Sequence, residues 1–137
     1  MRLMIIVKGN RETEAGAPPD PRLMSAMADY HEELARAGVL LDASGLKPTS
    51  KGARIKFSGG RRTWIDGPFT ESKEIVAGYT LIQVKSREEG DEWAKRFPAP
   101  FGDDQEGEIE IRELFELDDF EPHEAVERFR ELGLASE

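Results

Sequence analysis

Apolar residues in this chain fall into two spacings, one suited to strands and one to helices, and together they predict the elements. Leu3-Met-Ile-Ile-Val7 is a continuous apolar run, which predicts a central strand buried on both faces. Gly9 to Pro19 is polar and rich in Gly, Pro and Ala, and predicts a loop. Asp20-Pro21 then reads as a helix start, a carboxylate N-cap followed by proline at the first helical position. Leu23, Met27, Tyr30 and Leu34 recur along one face of that helix, and Gly38 is placed to end it. Val39-Leu40-Leu41 starts a second strand. Arg54 to Phe57 alternates polar and apolar, Ser58-Gly59-Gly60 supplies a turn, and Arg61 to Asp66 returns, which together predict a β-hairpin.

Gly78 to Val84 is another β-prone run. Ser86 and Glu89 have capping-box spacing, opening a helix with Trp93, Ala94 and Phe97 on its apolar side; Pro98 and Pro100 stop it. Within it, Gly90 is expected to cost about 1 kcal/mol relative to alanine. Glu108 to Glu113 alternates strictly, with Ile109 and Ile111 inward, and Pro122 to Leu132 predicts a short amphipathic helix closed by Gly133. The order is β-α-β-(β-hairpin)-β-α-β-α. Without the inserted hairpin this is a ferredoxin-like α+β fold, an antiparallel sheet with helices on one face. The other face needs a cover, and a second copy of the chain is the expected one. Residues 1–120 read as one domain and 121–137 as an acidic tail with a short C-terminal helix.

The absence of cysteine removes disulfides, thiolate chemistry and Cys-ligated zinc, and fits a cytoplasmic protein. The N-terminal apolar run is too short for a signal peptide or a membrane helix, so no membrane partner is expected. The net charge of −9 is unevenly placed. Asp103 to Glu137 holds fourteen acidic and three basic residues, a balance of −11, which leaves the body at +2. Such a surface repels phosphate backbones, and direct nucleic-acid binding is not expected.

The most distinctive segment is Trp64-Ile-Asp-Gly-Pro-Phe-Thr-Glu-Ser-Lys-Glu74. Gly67 is expected to take a backbone conformation closed to other residues, Pro68 to stiffen the turn, and Phe69 to point inward as an anchor. Asp66-Gly67-Pro68-Phe69, followed by Glu71, Lys73-Glu74 and Gly78-Tyr79, resembles the signature of the DGPF branch of the YCII-related family. The likeness extends to the LMIIVK opening, the EELARAGVLL and GLKP stretches, Trp93 and the EIEIRELFE strand, over roughly residues 2–120. It implies a dimeric α+β barrel, in which two ferredoxin-like protomers pack sheet against sheet as a homodimer. Relatives of that fold include isomerases, monooxygenases and haem-binding enzymes, and some members of the DGPF branch are encoded beside extracytoplasmic-function sigma factors.

Candidate chemistry concentrates at the turn. Asp66, Glu71, Lys73 and Glu74 are carboxylates and an ammonium close enough in sequence to tune one another for proton transfer, or to form a solvated ion-pair cluster. In other YCII-related proteins a helix histidine and an aspartate are proposed as an acid–base pair. Here His31 borders the apolar face of the first helix, offset from that position, and His123 lies in the tail. Lys8 and Arg54 are candidate anion contacts, and Phe69 and Tyr79 candidate ligand contacts. No cofactor motif is readable, and a conventional transition-metal site is not expected. Two function classes remain. One is a small-molecule enzyme or binder with a cavity walled by Phe69 and edged by Asp66 and Glu71. The other is a non-catalytic interaction module, tied to sigma-factor regulation, that docks through the acidic strand and tail helix.

Overall fold

Strand β1, Arg2–Lys8, lies in the middle of an open sheet, and its neighbours explain its composition. It pairs antiparallel with β5, Val76–Gln83, on one side and with β6, Ile109–Glu113, on the other. Strand β2, Leu40–Gly45, adds to β5, giving the order β2-β5-β1-β6. The computed structural model describes residues 1–70 and 74–134. All pairings are antiparallel, and the helices α2, Pro21–Arg36, and α3, Arg87–Lys95, supply the core against one sheet face. This is the ferredoxin-like α+β arrangement.

Because side chains alternate across a strand, β1 sends Leu3 and Ile5 toward the helices, where both are 0% exposed. Ile82, Val84, Tyr30, Leu34 and Ala94 complete that core. Met4 and Ile6 point the other way and are only half-buried, as are Tyr79 and Leu81 of β5. The expected burial of β1 on both faces therefore holds on one face within the chain, and the other is left open.

Local signals settled the helix ends. Asp20 accepts from the Arg22 amide at 2.8 Å, with Pro21 in the first turn. At the far end Gly38, at φ +75°, lets its own amide reach Ala35 and the Val39 amide reach Leu34, a Schellman close. Gly133 ends α4, Glu124–Glu131, in the same way. Ser86 caps α3 by accepting from the Glu89 amide, but the Glu89 carboxylate returns to the Lys85 amide rather than to Ser86. The expected reciprocal box is thus displaced by one residue.

Three features depart from the expectation. The Gly9–Pro19 loop contains a one-turn helix, α1, Arg11–Glu14, closed by reciprocal bonds between Asn10 and Thr13. Four residues carry no apolar period, so nothing in the spacing announced it. Gly90 is explained by packing: a Cβ there would fall 1.9 Å from Leu3 Cδ1. Finally, β3, Ala53–Ser58, and β4, Arg61–Asp66, form a separate two-stranded sheet whose residues, Ala53 apart, are all exposed.

Candidate functional site

The turn after β4 is built by close approach. The Gly67 amide donates to the Gly52 carbonyl at 3.0 Å, which brings it under the 3₁₀ turn Thr49–Lys51. A Cβ on Gly67 would lie 1.8 Å from the Thr49 carbonyl oxygen. Gly67 does not have a positive φ, so its expected reservation for glycine does not come from a left-handed backbone. Glycine is required here because no side-chain atom fits. The Phe69 amide donates to Thr49 Oγ1 at 3.0 Å, and Thr49 donates its own amide and hydroxyl to the two Glu14 oxygens at 3.0 and 2.5 Å. Glu14 of α1 thereby holds the 3₁₀ turn, which holds the Phe69 segment. Neither Glu14 nor Thr49 stood out in the sequence, since the link joins loops far apart along the chain.

The candidate residues then separate. Asp66 accepts from the Trp64 indole at 2.8 Å and borders a hollow with Ile55 and Lys51. Phe69 lies under the Arg54 guanidinium, 3.8 Å from the ring centre, in a hollow of about 460 Å³ that Glu74 also borders. Glu71 and Lys73 lie outside the described residues. Lys8 sits in a third hollow, with Glu74, Glu106, Glu108 and Glu110. Its Nζ is 3.1 Å from Glu110. That hydrogen bond, with the field of the other glutamates, holds the Lys8 ammonium above its ordinary pKa, and Lys8 holds the Glu110 carboxyl below its own. A hollow so acidic opposes anion binding.

A different cavity, about 410 Å³, opens between α2 and the sheet. Leu23, Met24 and Met27 line it from α2, and Phe97, Pro100 and Phe101 from the segment after α3. Its lining does not include Phe69 or Asp66. Tyr79 borders it, while the Tyr79 hydroxyl donates to Asp42 at 3.0 Å.

Among the cavity's polar residues, which include Thr13 and Ser44, His31 and Thr80 form a hydrogen-bonded pair. His31 Nδ1 is 2.7 Å from the Met27 carbonyl, which can only accept, so Nδ1 carries a proton. Nε2 is 2.8 Å from Thr80 Oγ1, and in the neutral imidazole it accepts from that hydroxyl. Thr80 is 2% exposed, a polar side chain at an inward strand position. Its place in an otherwise apolar alternation was the available sequence signal, since a buried hydroxyl needs a partner. Beside this pair, the Tyr30 hydroxyl donates to the Trp93 carbonyl at 2.6 Å, and burial pushes its pKa up to about 12. Among the described residues no group of three or more His, Asp or Glu side chains is arranged to hold a metal ion, and no helix is long and apolar enough to cross a membrane.

The YCII-related domain matches residues 1–118, and the chain belongs to the YCII-related family. An uncharacterized protein of Rhizobium meliloti (strain 1021) is 33% identical over 76 residues, 56% of this chain. That match covers 61% of the relative's own length.

Proposed function

We propose that this protein is a cytoplasmic homodimer of the DGPF branch that binds a small, largely apolar molecule in the cavity between α2 and the sheet. One observation carries the reading: the cavity of about 410 Å³ is walled mostly by apolar side chains, and among its few polar ones, which include Thr13 and Ser44, His31 and Thr80 are hydrogen-bonded to each other. Ligand sites have this composition, an apolar wall with a few polar groups that orient the guest. His31 Nε2 is the atom at which a proton would be taken up or released, which makes acid–base chemistry on the bound molecule the corresponding enzymatic step. The cysteine-free composition supports the compartment, the half-open sheet face the dimer, and the Asp66-Gly67-Pro68-Phe69 string the branch. Proton transfer at Asp66, Glu71, Lys73 and Glu74 takes second place, because Asp66 and Glu74 border different hollows.

Gly45 provides the test. It lines the cavity, and a Cβ there meets nothing within 4 Å, so Gly45→Leu should fill the space without disturbing the fold. A thermal-shift screen of apolar acids, alcohols and phenols should yield ligands that stabilise the parent and leave Gly45→Leu unmoved. Equal stabilisation of both proteins, or a screen without a hit, overturns the reading.

The second reading, an interaction module connected to sigma-factor regulation, is supported by the exposed apolar side of α4, where Phe129 and Leu132 are 51% and 70% exposed. Co-purification of a sigma factor that is lost on Phe129→Ser would favour it.

A further inference from the structure

Resting on the cavity reading proposed above, we infer that the guest is an uncharged hydroxyl compound, an alcohol or phenol, that donates its hydroxyl proton to Thr80 Oγ1. The charge of the wall and the placement of its protons both point to this class.

Among the described residues that line the cavity, none is Asp, Glu, Lys or Arg. A carboxylate, phosphate or ammonium entering it would leave water and meet no opposite charge, the costliest kind of burial. The guest is therefore neutral. Its body meets the rings of Phe97 and Phe101, and the unbranched chains of Met24 and Met27 adapt to an irregular outline.

The side chains facing the guest have already given their protons elsewhere. His31 Nδ1 donates to the Met27 carbonyl at 2.7 Å, and in the neutral imidazole Nε2 accepts from the Thr80 hydroxyl at 2.8 Å. The Thr13 hydroxyl donates to the Asn10 carbonyl at 2.9 Å, and the Tyr79 hydroxyl donates to Asp42 at 3.0 Å. Ser44 pairs with Tyr79 in the β2–β5 register, one step from Ala43 and Thr80, so its side chain takes the other sheet face. What these groups still offer is lone pairs. A hydroxyl oxygen has two acceptor sites besides its one proton, so Thr80 Oγ1 can accept from a guest while it donates to His31.

The bonds then run in one direction, from guest to Thr80, from Thr80 to His31 and from His31 to Met27. A ketone or ether finds no proton on these side chains unless Thr80 turns away, and that would leave His31 Nε2 without its donor. Acceptor-only guests should bind more weakly.

Titration calorimetry of the full chain at about pH 8, above the ordinary imidazole range, tests this with three matched probes: para-propylphenol, its methyl ether para-propylanisole, and para-propylbenzoate. The phenol should bind, the ether should bind about tenfold or more weakly, and the benzoate should not bind. In His31→Leu the Thr80 proton is released to the cavity, and phenol and ether should bind alike. Gly45→Leu should abolish phenol binding. An ether or benzoate that matches the phenol in the parent overturns the hydroxyl class, and the cavity reading survives if Gly45→Leu removes that binding. A preference that persists unchanged in His31→Leu overturns the role given to Thr80. Phenol binding that survives Gly45→Leu overturns both the class and the cavity. A parent that binds none of the three loses the hydroxyl class, and the cavity reading falls with it only if the thermal-shift screen is also without a hit.

Discussion

Thr49 and Gly67 meet backbone to backbone, so closely that a Cβ on Gly67 would stand 1.8 Å from the Thr49 carbonyl oxygen. Backbone cannot step aside as a side-chain end can, so the contact admits hydrogen and nothing larger. Gly67→Ala is expected to cost about 1–3 kcal/mol, the usual range for forcing an atom into occupied space. Gly45→Ala, with open space at its Cβ, is the control and should stay within about 0.5 kcal/mol of the parent. Urea midpoints decide it, and equal midpoints for the two variants would sink the close-approach argument.

Gly90 opposes two effects of comparable size. Alanine is better than glycine within a helix by about 1 kcal/mol. A Cβ at this position would also lie 1.9 Å from Leu3 Cδ1, and Leu3 is fully buried. Overpacking should win, and Gly90→Ala should lower stability by about 1 kcal/mol net. In a Leu3→Val background the same change should become neutral or favourable. A single variant more stable than the parent would mean that Leu3 repacks.

Tyr30 makes a testable contribution at high pH. Burial raises the phenol from 10.0 to about 12 in the folded protein. The folded state therefore keeps a proton that the unfolded chain releases. The stabilisation is complete below pH 10 and is lost as pH rises through about 12. Two pKa units correspond to roughly 2–3 kcal/mol. Tyr30→Phe should lose about 1 kcal/mol at neutral pH with the bond to Trp93. It should also lack the parent's decline between pH 10 and 12, and denaturation curves that fall in parallel would exclude Tyr30 as the source.

His31 and Thr80 should behave as a coupled pair. Thr80→Val preserves shape and strips His31 Nε2 of its partner, at an expected cost of about 1–3 kcal/mol. His31→Leu leaves the Thr80 hydroxyl buried without a partner. Removing both should cost less than the sum, with a coupling energy of about 1 kcal/mol in a double-mutant cycle. Strict additivity would show that the two groups are neighbours only.

What was legible in the sequence is what short-range rules write into it. Asp20-Pro21, Gly38, Ser86 and Gly59-Gly60 act within a turn of the chain, and each ends or opens the element it was expected to. The strand and helix periods pointed to the right fold because an antiparallel sheet with helices on one face is what that order of elements can bury.

Long-range contact followed other rules. Asp66 and Glu74 stand close together in sequence, yet they border separate hollows, and Phe69 between them is held by Thr49 and Glu14 from elsewhere in the chain. Gly67 and Gly90 were noticed for their backbone freedom or its cost, and both are held by an atom of a distant residue. His31 met Thr80 only once α2 had crossed β5 at a given height. Composition and period determined which elements form and which face is buried, since those depend on neighbours along the chain. Which side chains meet depended on strand register and helix crossing, quantities set by the packing of the whole core, and only the tertiary structure decided them.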